Sequence, residues 1–134
     1  PKNLLNIKFQ SLKKVGLSKQ KVQYIRNVSL FFNENKKFIK NINRIEESTL
    51  REKLITIKGI GNWTIDMFLI FSIGNSNISP RGDLGFNKAI SQLYNKKLPL
   101  SDKYLSKLYK LWSPYNSMAT WYLWRSLDPL PINY

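Results

Sequence analysis

Residues 54–67 read LITIKGIGNWTIDM, and the glycine step inside this stretch sets the architecture of the chain around it. Apolar side chains recur with helical spacing on both sides of the step. They are Leu50, Leu54 and Ile57 before it, and Ile65, Phe68 and Leu69 with Ser72 after it. Gly59 and Gly61 allow left-handed backbone angles and a close approach by another surface. Two helices joined so tightly leave backbone N–H groups pointing outward, where a phosphate oxygen can accept their hydrogen bonds.

The chain carries a large excess of positive charge. It has 22 Lys and Arg residues against 8 Asp and Glu, which gives a formal net charge of +14. Such a balance favours a polyanionic partner, with nucleic acid as the leading candidate and an anionic membrane surface as the alternative. A third interpretation is a compositional bias that leaves only a solvated basic surface. Charge does not choose among the three, whereas the glycine hairpin favours DNA.

Composition excludes several classes of protein. A length of 134 residues suits one domain, 1–134, that buries about two thirds of its unfolded surface. No apolar run approaches the roughly 20 residues of a membrane span, and no signal peptide is visible, so we expect no membrane partner. The absence of Cys excludes disulfides and thiolate-bound metals, and the absence of His removes the commonest general base. Any catalysis must use carboxylates, Lys, Ser, Thr, Tyr or backbone groups.

Helical periodicity runs along the chain without strand-like alternation, so the sequence predicts an all-α, helix-hairpin-helix fold. Leu4–Val15 is predicted to be the end of a helix that Gly16 stops, and Ser18 is predicted to cap the next helix. Lys36–Arg44 has weak helical periodicity, which is consistent with a short helix. The Ser18-capped helix has a core stripe of Val22, Ile25, Val28 and Phe32. Thr49 and Glu52 form a capping-box pattern that predicts the start of the first hairpin helix.

The sequence of the second half of the chain predicts four more helices. One runs from about Asn62 to Gly74, and a polar loop follows at Asn75–Gly82. The others are predicted to begin at Asp83 as an N-cap, at Ser101, and at Ser113-Pro114 with Pro in the first helical position. Their predicted core residues are Phe86, Ala89, Ile90, Leu93, Leu105, Leu108 and Trp112.

Three motifs resemble those of one family, and they occur in the same order. Gly59–Thr64 reads GIGNWT, Pro80–Gly85 reads PRGDLG, and Trp112–Arg125 reads WSPYNSMATWYLWR. They resemble the HhH-GPD superfamily of DNA glycosylases, and especially its alkylpurine (3-methyladenine DNA glycosylase II, AlkA-like) branch. The resemblance covers Leu12–Arg125, although Asn116 stands where the family usually has Arg. Members normally carry further N-terminal helices, absent from this chain, that line part of the base pocket.

The resemblance also gives a role to the turn at Leu12–Lys21, which reads LKKVGLSKQK. In the family this turn faces the minor groove and can fill the gap left by a flipped base. Lys19 and Gln20 occupy its tip here, where an apolar wedge is usual. We therefore expect Lys19 to contact DNA, with an ordinary turn between two helices as the alternative.

Asp83 is the residue that the resemblance identifies as catalytic. Breaking an N-glycosidic bond develops positive charge at the anomeric carbon, which a fixed carboxylate stabilises while it orients water. At the start of a helix Asp83 should remain ionised, because the dipole and the free N–H groups favour the anion. The alternative is a plain N-cap that contributes about 1 kcal/mol to the fold.

The remaining site residues also follow from the resemblance. Trp63 belongs at the edge of the base pocket, where an electron-rich ring can bind a cationic base. The hairpin should bind the DNA backbone through the following residues: Lys58, the backbone at Gly59, Ile60 and Gly61, and the hydroxyl of Thr64. The main-chain carbonyls of Ile55, Ile57 and Ile60 match those that bind a monovalent cation, Na⁺ or K⁺, and we expect no other cofactor. We expect Asp66 to be a surface or capping charge, and the remaining C-terminal aromatics to be core residues, namely Trp112, Tyr115, Trp121, Tyr122 and Trp124.

The resemblance thus predicts a monofunctional DNA glycosylase of base excision repair, which flips alkylated purines such as 3-methyladenine out of duplex DNA and hydrolyses their N-glycosidic bonds. Bifunctional members place a Lys two residues after the second hairpin glycine, where this chain has Trp63, so water must be the nucleophile. The alternative is a non-catalytic DNA-binding module in which Asp83 only caps a helix. We expect a monomer that is intracellular and located with the DNA.

Overall fold

The computed structural model describes residues 2–128, and every regular element in that range is helical. The predicted all-α fold is therefore confirmed. None of these helices combines the length and the apolar character needed to cross a bilayer. The described chain forms two compact units, one ending at Ile65 and the other beginning at Asp66. The prediction of a single domain over residues 1–134 stays a prediction.

The first unit is built on one long helix. Its elements are α1 (Lys2–Asn6), α2 (Phe9–Lys14), α3 (Lys19–Glu34), α4 (Lys36–Lys40), a 3₁₀ turn (Ile42–Arg44) and α5 (Glu47–Leu54). Helix α3 packs against α1, α2 and α4. Its N-cap is Ser18, whose side chain accepts a hydrogen bond from the Lys21 amide at 3.2 Å, as the sequence predicts. Val22 is fully buried, whereas the other three residues of the predicted stripe are half-buried.

Two predictions for this unit are wrong. The helix predicted over Leu4–Val15 is divided into α1 and α2, because Lys8 has an extended backbone (φ −61°, ψ 138°) that interrupts the helix. The predicted capping box at Thr49 is also wrong, because the N-cap of α5 is Glu46, three residues earlier. Thr49 lies inside α5, where an ion pair between Glu47 and Arg51 at 2.7 Å stabilises the first turns.

Helix α6 (Asn62–Phe68) follows the hairpin and continues as a π-helical turn over Leu69–Ile73. The turn ends at Gly74, which has a left-handed φ of 74°, so the predicted end of this helix is confirmed. The π turn itself escaped prediction. A π turn holds one more residue than an α turn, so Ser72 leaves the predicted buried face and is exposed, while Ile65 and Leu69 are buried.

The second unit consists of the end of α6 and three further helices, α7 (Leu84–Leu93), α8 (Asp102–Trp112) and α9 (Asn116–Arg125). Helix α9 packs against α7 and α8. The core between them contains Phe86, Ala89, Ile90, Leu105, Leu108 and Leu123, with Trp112 packed against it. Asp83 and Ser101 are the N-caps of α7 and α8, as predicted.

Two details of this unit differ from the predictions. Helix α9 begins at Asn116 and not at Pro114, because Tyr115 has a non-helical backbone (φ −115°, ψ 30°) and its amide closes a turn onto the Trp112 carbonyl at 2.7 Å. Leu93, the last residue of α7, is exposed and not part of the core.

Candidate functional site

The hairpin between α5 and α6 is closed by backbone hydrogen bonds. The Ile57 amide donates to the Leu54 carbonyl at 3.1 Å, and the Ile60 amide donates to the Ile57 carbonyl at 2.9 Å. The Gly61 carbonyl then accepts the Ile65 amide at 3.1 Å, which begins α6. The amide of Ile60 is therefore used inside the turn and is not available to a ligand.

The two glycines of the hairpin serve different purposes. Gly59 has a φ of 106°, and a Cβ atom built on it would lie 2.2 Å from Cγ of Tyr24. Gly61 has no positive φ, so it does not use the left-handed angles that glycine allows, and a Cβ atom there would have nothing within 4 Å. Packing against α3 thus requires glycine at position 59, whereas nothing within the chain requires it at position 61.

The amides of both glycines remain open to a ligand. Within residues 2–128, neither the Gly59 N–H nor the Gly61 N–H donates a hydrogen bond. Helix α6 begins at the residue after Gly61, so the positive end of its dipole lies beside these amides. This arrangement suits an oxygen anion, since two free donors and a helix dipole lie together.

The other predicted hairpin residues border these amides along the chain. Lys58 and Trp63 are exposed, with 51% of Trp63 accessible, and Thr64 is half-buried in the first turn of α6. Lys19 is exposed at the start of α3. Its neighbour Gln20 is bound to its own helix, because Nε2 donates to the Tyr24 hydroxyl at 2.5 Å.

The three carbonyl oxygens predicted to bind a cation, those of Ile55, Ile57 and Ile60, keep unused lone pairs. The carbonyl oxygens of Ile55 and Ile60 accept no hydrogen bond from any group in residues 2–128, whereas that of Ile57 accepts one. A carbonyl has two lone pairs, so all three oxygens retain capacity for a hard cation. Among the described residues no group of His, Cys, Asp or Glu is arranged to hold a metal ion.

Asp83 is anchored from two directions. One carboxylate oxygen, Oδ1, accepts the Phe86 amide at 2.6 Å as the N-cap of α7. The same oxygen accepts Nε1–H of Trp124, on α9, at 2.9 Å. Trp124 belongs to the closing motif but is predicted as a core residue, because no local pattern reveals a contact between residues 41 positions apart.

Two neighbours of Asp83 make this arrangement possible. A Cβ atom on Gly85 would lie 3.2 Å from Oδ1 of Asp83 and 3.4 Å from Cδ1 of Trp124, so glycine leaves room for the indole. Asn87 donates from Nδ2 to the Asp83 carbonyl at 2.8 Å and to the Arg81 carbonyl at 2.7 Å. These contacts give a structural reason for the second glycine of the PRGDLG motif and fix the turn before α7.

An aromatic ring stacks on the tryptophan that binds Asp83. The rings of Phe71 and Trp124 stack with their centroids 6.0 Å apart and their planes 20° apart, while 65% of Phe71 remains exposed. The sequence does not predict Phe71 at this site, because Phe71 lies in the π turn. The predicted core position of Trp112 is consistent with its packing, but Tyr115, Trp121 and Tyr122 are exposed. The core prediction fails for Trp121 and Tyr122 because only one side of α9 faces α7 and α8, and for Tyr115 because it lies in the turn before α9.

A buried polar network supports the loop that leads to Asp83. Asn116 is fully buried, and its Nδ2 donates to Oδ1 of Asn77 at 2.6 Å and to the Tyr109 carbonyl at 3.0 Å. Ser117 accepts the Ile78 amide at 2.9 Å and donates to the Asn75 carbonyl at 2.6 Å. Asn116 stands where the similar DNA glycosylases usually have Arg, and from the start of α9 its side chain stabilises this loop.

The sequence predicts Asp66 as a surface or capping charge, and the surface alternative is wrong. Only 7% of Asp66 is exposed, because it lies three residues before the fully buried Leu69 and shares that face of the helix. A single charged residue in a helix does not reveal which face of that helix is buried.

Known proteins similar to this chain include several DNA glycosylases. The chain matches no protein-family model. It is 33% identical over 131 residues to YfjP of Bacillus subtilis, whose name assigns it provisionally to the DNA-3-methyladenine glycosylases. That alignment covers 96% of this chain and 45% of YfjP. The solved structure of a DNA-3-methyladenine glycosidase from Bacillus halodurans is 34% identical, with a TM-score of 0.79, over 94% of this chain and 58% of that one.

A complex with DNA is also among the similar structures. The Schizosaccharomyces pombe 3-methyladenine DNA glycosylase Mag1, solved with abasic DNA, has a TM-score of 0.81 and 25% identity, over 94% of this chain and 62% of Mag1. Over nearly its whole length the chain is therefore similar, in sequence and in fold, to DNA-3-methyladenine glycosylases. It spans about half the length of the curated glycosylases that it matches, with 45%, 59% and 56% of three of them covered. This glycosylase fold includes both the hairpin and the segment that bears Asp83.

Proposed function

We propose that this chain carries the DNA-binding hairpin and the catalytic aspartate of a monofunctional DNA glycosylase. The substrate is duplex DNA that contains an alkylated purine such as 3-methyladenine, and the reaction is hydrolysis of the N-glycosidic bond. The observation that carries the proposal is the double anchoring of the Asp83 carboxylate by Phe86 and Trp124. An N-cap needs only the Phe86 amide, so the second donor, from a different helix, favours a carboxylate held in a set orientation for chemistry.

The chemistry follows from what a fixed carboxylate can do. As the base leaves, positive charge develops on the sugar, and a preorganised anion stabilises it without reorganisation. The Trp124 and Phe86 N–H groups keep Asp83 ionised and oriented. Alkylated purines are cationic leaving groups that need little assistance from an acid, which suits a chain without His. Water is the nucleophile, with Asp83 assisting its orientation.

Exposed aromatic rings are suited to receive the flipped base. Base flipping costs a few kcal/mol of unstacking, which stacking on protein aromatics offsets. Phe71, stacked on Trp124, presents an accessible ring to the surroundings of Asp83. Trp63 presents a half-accessible indole. Both rings can attract a cationic purine through their electron-rich faces.

The hairpin supplies the contact with the DNA backbone. The free amides of Gly59 and Gly61 would donate to a phosphate oxygen, with Lys58, Thr64 and Lys19 as further contacts. The carbonyls of Ile55, Ile57 and Ile60 would hold a Na⁺ or K⁺ ion, which supplies a positive charge to the same phosphate. The enzyme would act as a monomer wherever the cell keeps its DNA.

A base-release assay tests the proposal. The protein, in its full natural polypeptide, is incubated with duplex DNA methylated at purines with a radiolabelled methyl donor, and free bases are separated by chromatography. We expect release of methylated purines by the wild type and a loss of at least about a hundredfold in Asp83→Asn, since the amide keeps the cap but removes the charge. DNA that is bound without any base released would favour the non-catalytic module, whose only support is that Asp83 also caps α7.

The same assay tests the monofunctional character. No Lys occupies position 63, and the indole nitrogen of Trp63 cannot act as a nucleophile because its lone pair belongs to the ring. We expect the product strand to remain intact at the abasic site, and borohydride added during turnover to trap no protein–DNA adduct. A trapped adduct that disappears when a Lys is replaced would contradict hydrolysis by water.

A further inference from the structure

One face of α3 holds the hairpin turn. Gln20, Gln23, Tyr24 and Asn27 are spaced so that they lie on the same side of the helix. Tyr24 packs its ring against Gly59, so closely that a Cβ atom on Gly59 would lie 2.2 Å from Cγ of Tyr24. Asn27 donates from Nδ2 to the Lys58 carbonyl at 2.9 Å. We call this set of four α3 residues the hairpin brace.

The members of the hairpin brace also hold one another. Gln23 donates from Nε2 to Oδ1 of Asn27 at 3.0 Å, so both ends of the Asn27 amide are engaged. Gln20 donates to the Tyr24 hydroxyl at 2.5 Å. The Asn27 amide is thus restrained in the orientation that presents its N–H to Lys58, and the Tyr24 ring is held over Gly59.

The contact with the Lys58 carbonyl determines where the Gly59 amide points. The C=O of Lys58 and the N–H of Gly59 belong to the same planar trans peptide, so they point in opposite directions. Because Asn27 binds the oxygen from the α3 side, the N–H must point away from α3. That N–H has no partner in residues 2–128, and the φ of 106° at Gly59 lets the chain continue from this orientation.

We propose that Asn27 is a positioning residue for DNA binding, which orients the Lys58–Gly59 peptide so that its N–H is presented to a DNA phosphate. Tyr24 and Gln23 assist by fixing the turn and the Asn27 amide. Asn27 itself does not touch the DNA. The inference rests on the proposed function in one respect, since the ligand of the amide is taken to be a phosphate of duplex DNA.

The test replaces Asn27 by Leu, which keeps the volume and removes the donor, and compares it with Asn33→Leu. Asn33 is a matched control, since it is a half-buried Asn on the same helix and outside the hairpin brace. Binding is measured by fluorescence anisotropy on a duplex with a stable abasic-site analogue, at several salt concentrations. We expect Asn27→Leu to bind about tenfold more weakly than Asn33→Leu, which is the loss typical of one hydrogen bond to a charged group.

The salt dependence separates positioning from a general effect on the protein. An amide carries no net charge, so the loss should be the same at every salt concentration and the slope of log Kd against log salt should not change. Asn27→Ala, paired with Asn33→Ala, repeats the comparison should the Leu variant fail to fold. In the NMR spectrum of the wild type, the Gly59 amide resonance should shift on DNA binding, and in the Asn27 variants this shift should be reduced.

Each outcome bears on a different claim. If the wild type binds the duplex and the Asn27 variants bind as tightly as the Asn33 variants, the positioning role is wrong while the proposed function stands. If the wild type does not bind the duplex, the proposed function fails and the positioning role fails with it. If the Asn27 variants have a lower melting temperature than the wild type but the same Kd, Asn27 only stabilises the fold and does not position the amide for DNA.

Discussion

A single carboxylate oxygen links two helices of the second unit, α7 and α9. Oδ1 of Asp83 accepts one hydrogen bond from its own helix and one from Trp124 on α9. Gly85 makes this possible, because any larger residue would place its Cβ 3.2 Å from that oxygen and 3.4 Å from the indole. The capping role of Asp83 is readable from the sequence, since it is local. The Trp124 contact is not, since it depends on how α9 packs against α7.

The first prediction concerns this indole donor. Trp124→Phe removes the Nε1–H that Asp83 accepts and keeps an aromatic ring against Phe71. We expect the rate of base release at saturating DNA to fall about tenfold to a hundredfold, since a hydrogen bond to a charged group contributes about 1.5–3 kcal/mol. The affinity for abasic duplex should remain within about twofold of wild type.

Trp112→Phe serves as the matched control for Trp124→Phe. Trp112 is also a half-buried indole of the second unit, but its ring packs against Phe86 and Tyr94. This variant should lower the melting temperature and leave the catalytic rate of the folded enzyme nearly unchanged. Equal rates in the Trp124 and Trp112 variants would mean that the indole donor does not position Asp83.

Among the helices, the sequence is most informative where contacts are local and least informative where a helix departs from the α period. The apolar spacing around Gly59-Ile60-Gly61 correctly predicts α5 and α6 and the burial of Leu50 and Leu54. The π turn at Leu69–Ile73 changes the period, so it exposes Ser72 and sets Phe71 beside Trp124 without any warning in the sequence. The extended backbone at Lys8 likewise lacks a Gly or Pro signal.

The two hairpin glycines allow a prediction about the turn that they form. Gly59→Ala should destabilise the fold by about 1–3 kcal/mol, because the alanine would need a left-handed φ and would collide with Tyr24. Gly61→Ala should change the free energy of unfolding by less than about 0.5 kcal/mol, since its Cβ enters open space. Thermal and urea denaturation followed by circular dichroism measure both values.

DNA binding should separate the same two variants in the opposite sense. The Cβ of Gly61→Ala would occupy the space that a phosphate needs, so we expect about a tenfold weaker Kd for abasic duplex from a protein of wild-type stability. The second hairpin glycine would then be a ligand requirement and not a folding requirement. Wild-type affinity in Gly61→Ala would remove position 61 from the phosphate contact.

For the chain as a whole, composition predicts the excess of positive charge directly, but it does not predict where on the surface the charged side chains lie. The formal charge of +14 is a sum, and it does not say which lysines face a ligand. The structure adds that Lys58 is exposed beside the free amides of Gly59 and Gly61, within the first unit. A cation next to uncharged donors is the arrangement expected for a phosphate, since charge draws the ligand in while the amides set its orientation.

Salt dependence therefore tests whether the charge serves DNA. Each phosphate neutralised by Lys or Arg releases condensed counterions, so log Kd for duplex DNA should rise linearly with log salt, by about tenfold or more between about 50 and 200 mM. Lys58→Gln should weaken binding and reduce the steepness of this line by about one, because one ionic contact is lost. Lys58→Arg, which keeps the charge at the same place, should leave the steepness unchanged. A flat response in the wild type would mean that the basic surface serves another partner. A Lys58→Gln line as steep as that of the wild type would place Lys58 outside the phosphate contact.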